Sequence, residues 1–279
     1  MQLETLESCF RAAGSPDEHI AYLRYHWDRY RLTKERFEEG WTRPHGGTRV
    51  LDLGCHVLHQ TLLWKLDGYD VIGADLDWVT THPAVAETAR RYAIPVFSYR
   101  DLAAAGSLAQ VPDGSVDVVL FCEILEHITF NPIPLWREVH RILRPGGRIV
   151  VTTPNYYHAH GRAWNRHRVF ARMGGGAYVE EILQCNTTAP HWKEYAMREV
   201  QRYFRLLSPD FRIHAAHYEL GHYPIPSATL RDRVLAALQR RFRVLRHNLY
   251  VEVAMDAKAA GIVIQPGWAF PTNISFHVP

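Results

Sequence analysis

The run VDVVLFC at 116–122 is apolar at every position but Asp117, and that continuity constrains the fold more than any other feature of the chain. A strand with one wet face alternates polar and apolar residues, whereas a strand covered on both faces reads as an unbroken apolar run. Similar runs recur around it: RVLDLG from Arg49, YDVIGADLD from Tyr69, IPVFSYRD from Ile94 and RIVVTTPN from Arg148. Helical spacing of apolar residues fills the gaps between them. It is read in HVLHQTLLWKLDG after the first run, in residues 82–92 after the second, and in 132–143, where Ile133, Trp136, Val139, His140 and Leu143 lie on roughly one side. Alternating β and α units of this kind predict a Rossmann-like α/β fold, a doubly wound and mostly parallel sheet with helices on both faces. Strand-like segments near 211–218 and 249–256 flank a helix over 228–246 and predict an antiparallel terminal hairpin.

A helix is predicted over 17–40, because Ile20, Leu23, Trp27, Tyr30 and Phe37 share one face. Such a leading helix can lid a pocket, but packing on the sheet is the expectation. Residues 1–48 are thus read as an N-terminal helical segment and 49–279 as the main domain. Residues of about 156–192, rich in His, Arg, Tyr and Gly and including Gly174–Gly175–Gly176, are long for a plain connection and predict a substrate-covering insertion.

Composition limits the partners. With 47% apolar and 22% charged residues the chain is globular, and its net charge of +3 neither demands nucleic acid nor excludes it. The basic helix carrying Arg231, Arg233, Arg240, Arg241, Arg243 and Arg246 invites an RNA or anionic-lipid reading. Interleaved Val234, Leu235, Leu238, Phe242 and Leu245 make it amphipathic, and a solvated charged face is the expectation. The four cysteines Cys9, Cys55, Cys122 and Cys185 form no C-x-x-C pair. With no signal-like N-terminus and no stretch of 18 apolar residues, a cytoplasmic protein with reduced thiols and no membrane span is expected.

In an open α/β sheet, ligands bind at the carboxyl ends of the strands, where the winding reverses. Those ends carry Gly54, then Asp75, then Asp101, then Glu123, Glu126 and His127, and finally Thr153, Pro154 and Asn155. Acids closing the second and third strands suit ribose and adenine donors. A dinucleotide would need G-x-G-x-x-G under its pyrophosphate, and the stretch here, Gly54–Cys55–His56–Val57–Leu58–His59, holds one glycine. A nucleoside cofactor without a pyrophosphate, such as S-adenosylmethionine, fits better.

The combined run VLDLGC, GYDVIGADLD, RDL, PDGSVDVVLFCEILEHI, LWREVHRILRPGGRIVVTTPN resembles the class I S-adenosylmethionine-dependent methyltransferases over residues 49–155. The resemblance implies that Gly54 abuts the methionine part of the cofactor, Asp75 holds the ribose hydroxyls, and Asp101 with Leu102 borders the adenine. Cys122 and Glu123 would line the sulfonium and substrate side. The family's first turn usually carries glycine where this chain has His56 and Leu58; side chains there remove freedom at positive φ. Some polysaccharide-modifying members share that departure, and Asn131–Pro132 with TTPN is similar to them.

Methyl transfer to an alcohol or phenol needs in-line alignment, and the nucleophile's proton must go to a base or be loosened by a metal. Glu123, Glu126 and His127 stand at i, i+3 and i+4, and would share one face if the segment turns helically. Two carboxylates and an imidazole suit Mg2+ or another divalent ion. E-x-x-E-H followed some sixty residues later by His191–Trp192–Lys193–Glu194–Tyr195 is similar to metal-dependent small-RNA 2′-O-methyltransferases. The E-x-x-E-H element also resembles ubiquinone-pathway O-methyltransferases. That resemblance implies Glu123, Glu126, His127 and His191 as metal ligands; the alternative is a metal-free site with His127 as general base and Glu123 beside it. His158 and His160 are read as substrate-loop side chains. The expected acceptor is a hydroxyl of a small molecule or glycan; the rivals are RNA 2′-O-methylation and a non-catalytic scaffold that keeps the fold.

Overall fold

In the computed structural model of the chain, residues 1–159, 161–164, 191–220 and 229–264 are described. Most of the anticipated insertion, with Gly174–Gly176, Cys185 and also His160, lies outside them.

Among the described residues seven strands form one sheet in the order β3-β2-β1-β4-β5-β7-β6. They are β1 (Arg49–Leu53), β2 (Asp70–Leu76), β3 (Val96–Tyr99), β4 (Val116–Cys122), β5 (Leu143–Pro154), β6 (Phe211–Glu219) and β7 (Asn248–Met255). The first five pair in parallel. β7 runs antiparallel between β5 and β6, so the terminal hairpin is as predicted. The winding reverses between β1 and β4, and the strand ends named above fall on one edge.

The helices among the described residues are α1 (Leu3–Ala12), α2 (Asp17–Gly40), α3 (His59–Leu66), the single turn α4 (Asp77–Thr80), α5 (Pro83–Arg91), α6 (Ile133–Ile142), α7 (Met197–Leu207) and α8 (Leu230–Arg241). Successive strand residues point to opposite faces, and the core divides accordingly. Leu51, Val119, Phe121, Ile149 and Val151 pack with α6 and α7 on one face. Val50, Val118, Leu120 and Val150 pack with α1, α2 and α3 on the other. The near-continuous apolar reading of β4 follows from this double coverage.

The structure differs from the sequence reading at several places: β5 begins at Leu143, read as the end of the preceding helix, and the helix read over 228–246 ends at Arg241. α1 was not anticipated; it buries Leu6 and Phe10, and Arg24 of α2 clamps Glu7 with two bonds of 2.6 Å. α3 begins at His59 rather than His56, because His56 (φ 46°) and Leu58 (φ 68°) are in the left-handed region and cannot continue a right-handed helix.

Candidate active site at the carboxyl edge

The turn after β1 keeps a glycine-like backbone without the glycines. Gly54 has φ 80°, and a Cβ there would overlap the side chain of Ile124, so its lack of a side chain is what lets the ends of β1 and β4 approach. His56 and Leu58 adopt positive φ even though each carries a Cβ, a conformation costing about 1–2 kcal/mol per residue. Their side chains leave the turn. Leu58 is fully buried with Cys55, Val57 and Val85. Gly73 of β2 makes room for it: a Cβ on Gly73 would stand 3.3 Å from Leu58 Cδ2 and 3.1 Å from Cys55 Sγ. The His56 ring lies 5.0 Å from that of Tyr22 on α2.

Asp75, at the end of β2, braces this turn. One oxygen accepts the His56 N–H and the other the Leu76 N–H, both at 2.7 Å. Burial raises its pKa in spite of those two bonds. A carboxylate offers about four acceptor positions, so ribose hydroxyls would find acceptor capacity left over. Asp101 is exposed and accepts from Ala103 N–H at 2.7 Å, with Leu102 buried beside it.

At the end of β4 the four proposed ligands separate. The segment is helical only as a 3-10 turn over Leu125–His127, and Glu123 has φ 57°. The shared helical face expected for Glu123, Glu126 and His127 is therefore not formed. Glu123 is drawn to the other side: its carboxylate lies 3.1 Å from Arg29 Nη1 of α2 and accepts from Asn248 Nδ2 at 3.2 Å. Burial works against the Arg29 charge, yet Glu123 carries its pKa upward.

The other three meet. Glu126, His127 and His191 each offer a ligand atom, all within 4.8 Å of one another. The His127 and His191 rings stand edge to face at 4.8 Å between centroids. Glu126 is 1% exposed; its Oε2 accepts from Thr153 Oγ1 at 2.9 Å, while Oε1 has no hydrogen-bond partner and lies 3.9 Å from His127 Nε2. Burial, and then the charge of Glu123, push the Glu126 pKa well above the usual carboxylate range. The two distant motifs are joined through the main chain, because Trp192 N–H donates to the Glu126 carbonyl at 2.9 Å. His191 Nδ1 is 3.7 Å from the Glu194 carboxylate.

Two groups at this edge had escaped the sequence reading. Arg29 sits beside the apolar stripe of α2, where a charge reads as solvated. Asp52 stands inside the apolar run of β1, a signal that could have found it. It is 3% exposed, accepts from Thr61 Oγ1 at 2.6 Å, and burial pushes its pKa up to about 7 against that hydrogen bond. Cys122, half-buried at the end of β4, has its thiol pKa raised by burial.

Residues 51–151 match the family model described as a methyltransferase domain. A ubiquinone biosynthesis O-methyltransferase of Pseudomonas aeruginosa is 32% identical over 111 residues, 39% of this chain and 45% of the relative. A Mycolicibacterium smegmatis protein named as a probable S-adenosylmethionine-dependent methyltransferase is 37% identical over 111 residues, 39% of each chain. The match thus spans less than half the length of these curated relatives. Among solved structures, a Haloferax volcanii methyltransferase in complex with the Trm112 methyltransferase activator shares the fold, with a TM-score of 0.54 at 19% identity over 84% of this chain and 91% of that one. Matched motifs and sheet order agree: residues 51–151, just over a third of the chain, carry a methyltransferase domain of the class I S-adenosylmethionine-dependent type.

Proposed function

We propose that this chain transfers a methyl group from S-adenosylmethionine to a hydroxyl oxygen of a small molecule or glycan, with the Glu126–His127–His191 cluster handling the acceptor. The observation that carries the reading is the meeting of one buried carboxylate and two imidazoles beside the strand ends where class I members hold their cofactor. An amine acceptor can attack as its free base, whereas a hydroxyl needs its proton taken up as the new bond forms. The name of the P. aeruginosa relative points the same way.

The residues present fit the cofactor, because Leu58 is accommodated by Gly73 instead of projecting into the cleft and Asp75 retains acceptor capacity. When bound, S-adenosylmethionine supplies an electrophilic methyl on a sulfonium. Gly54 would lie along its methionine part, Asp75 would accept from the ribose, and Asp101 with Leu102 would flank the adenine. Cys122 would face the sulfonium. Aligning acceptor oxygen, methyl and sulfur is the main task of the protein, and such positioning can supply ~7–11 kcal/mol.

The same cluster fits a divalent ion. Glu126 Oε1 is buried without a hydrogen-bond partner, and one carboxylate with two imidazoles is a donor set that divalent metals accept. Glu126, His127 and His191 would hold the ion; Glu123, committed to Arg29, is outside the set. Bound there, a cation would lower the pKa of an acceptor hydroxyl. Without it, His127 is the base, held between Glu126 and His191.

The test uses the full chain with methyl-labelled S-adenosylmethionine and a panel of catechols, sugars and RNA oligonucleotides, with and without EDTA. Recovery of a methyl ether that Glu126→Gln and His127→Ala each reduce about 100-fold is the expected result. Loss of turnover in EDTA assigns the ion, and unchanged turnover assigns His127 as base. The main-chain bond from Trp192 to Glu126 brings together the two motifs that resemble small-RNA 2′-O-methyltransferases and so favours one second reading, RNA 2′-O-methylation, which labelled RNA and a steep salt dependence would support. Cofactor at about 100 times its dissociation constant should stabilise the fold by ~2.7 kcal/mol; no thermal shift at millimolar cofactor would leave a scaffold.

A further inference from the structure

Helix α8 turns apolar residues outward. On a helical projection Leu230, Val234 and Leu238 form one stripe at i, i+4 and i+8, and this stripe faces solvent: they are 78%, 50% and 36% exposed. The side turned inward carries Gln239, which is buried and shares a 3.2 Å hydrogen bond with His247 Nε2. Phe242 and Val244, just beyond the helix, are also exposed. The arginines meet water as expected and Leu235 turns inward beside Gln239, but Val234, Leu238 and Phe242, read as part of the apolar packing side, are exposed.

The arginines ring the exposed part of the helix. Arg241 lies within the stripe and Arg231 on its border, while Arg233 and Arg240 stand roughly 100–120° round the helix from Val234; with Arg243 these five are all exposed. The single acid of the helix, Asp232, is engaged in the N-terminal cap by Thr229. An exposed aliphatic stripe bordered by long cations that can reach past it is the pattern of a helix lying in a bilayer interface.

The position of α8 is fixed. β6 ends and β7 begins at the row Pro154–Asn248–Glu219, which is the same edge that carries Glu123 and Glu126. Asn155, at the end of β5, donates through Nδ2 to the Val244 and Arg246 carbonyls at 2.7 and 2.8 Å. Ala159 N–H donates to Leu245, bringing exposed Tyr157 and Trp164 onto the same rim. Amphipathic aromatics are favoured at the headgroup level of a membrane.

We propose that this rim, led by α8, docks on an anionic lipid surface, with Leu230, Val234, Leu238 and Phe242 entering the interface and the arginines contacting headgroups. No described helix is long and apolar enough to cross a membrane, so the contact is peripheral. Charge decides against a second copy of this chain, since pairing the face with itself would set five arginines against five. The aliphatic stripe favours lipid over RNA: a single strand would stack on the guanidinium and aromatic planes of this rim and leave Leu230, Val234 and Leu238 in water, whereas a lipid interface covers them as well. The proposal does not rest on methyl transfer.

The test is flotation of the full chain with vesicles of phosphatidylcholine alone or mixed with phosphatidylglycerol. Binding to the mixed vesicles that falls with added salt is expected. Leu238→Glu and Phe242→Glu should each weaken it about tenfold or more, and Arg240→Gln about fivefold. Leu238→Ser serves as a milder variant, and unchanged melting curves show that each variant is folded. Absence of binding to mixed vesicles overturns the proposal. So does binding that survives Leu238→Glu and Leu238→Ser, an RNA oligonucleotide that binds where vesicles do not, or a dimer in sedimentation that Leu238→Glu dissociates.

Discussion

The turn after β1 makes a prediction in which glycine outperforms alanine at a buried leucine. Leu58 is fully buried and has φ 68°. Truncation to alanine removes a packed isobutyl group, which costs about 3–5 kcal/mol, and leaves the strained backbone in place. Truncation to glycine loses as much burial but relieves about 1–2 kcal/mol of left-handed strain. Part of that relief is offset by the wider freedom of glycine in the unfolded chain, about 0.5–1 kcal/mol. Leu58→Gly should therefore be the less damaged of the two by roughly 0.5–1 kcal/mol. His56→Gly has the same relief, at φ 46°, without a buried side chain to lose. It forfeits only the ring contact with Tyr22, and should lie within about 1 kcal/mol of wild type.

Urea unfolding followed by circular dichroism measures the order, provided the slopes agree. The expected sequence of midpoints is His56→Gly highest, then Leu58→Gly, then Leu58→Ala. Leu58→Ala more stable than Leu58→Gly would refute the positive φ at that position. His56→Gly as damaging as Leu58→Gly would refute the exposed placement of the imidazole. Cofactor binding to His56→Gly, followed by thermal shift, separates the backbone effect from any crowding of the cleft by the ring.

Three further outcomes follow from contacts at the same edge. Asp52, with its pKa near 7 in place of the usual 3.8, favours the protonated folded state, so its penalty is absent below about pH 4, grows as pH rises toward 7 and is constant above that. Asp52→Asn should remove this slope, stabilising the protein at pH 8 by on the order of 4 kcal/mol and leaving it nearly unchanged at pH 4; equal effects at both pH values would contradict the burial argument. Arg29→Met leaves the Glu123 carboxylate without its guanidinium and should cost on the order of 2 kcal/mol, of which the double substitution Arg29→Met with Glu123→Met regains a part; additive losses in denaturant titrations would mean that the pair is not coupled. Gly54→Ala meets Ile124 and should destabilise by about 2–3 kcal/mol, with Ile124→Ala in the same chain restoring part of that; no rescue in paired melting curves would place the clash elsewhere.

Much of the carboxyl edge was legible because strand periodicity and strand ends are local properties. The run Val116–Cys122 announces its double coverage, and the acids Asp75 and Asp101 fall at strand ends once the strands are placed. The meeting of His191 with Glu126 and His127 was implied only by the family resemblance, and the main-chain bond from Trp192 N–H to Glu126 is its physical basis. Glu123 was not legible in this way. Spacing at i and i+3 assumes a regular helix, whereas its positive φ and the pull of Arg29 and Asn248 turn it aside. Arg29 and Asn248 come from opposite ends of the chain, and no local pattern connects them.

The outward stripe of α8 has a more general cause. Periodicity reports that polar and apolar residues are segregated around a helix, but not which side meets the protein. The usual assignment, apolar side inward, assumes that water is the only alternative environment. In α8 the inward side carries Leu235 with Gln239, which meets His247, and the segment just after the helix is held where Asn155 binds the Val244 and Arg246 carbonyls. The polar contacts reach residues outside the helix, His247 just beyond it and Asn155 far from it in sequence, which the periodicity of the helix cannot encode. Once they fix the inner side, Leu230, Val234 and Leu238 are left outside whatever their hydrophobicity. Burying such side chains in a lipid interface recovers transfer free energy that water denies them, about 25 cal/mol per Å² of apolar surface covered. Polar anchors that would stand out as an unfavourable choice in a helix built only to pack on its own sheet are consistent with a helix built to face a second apolar phase.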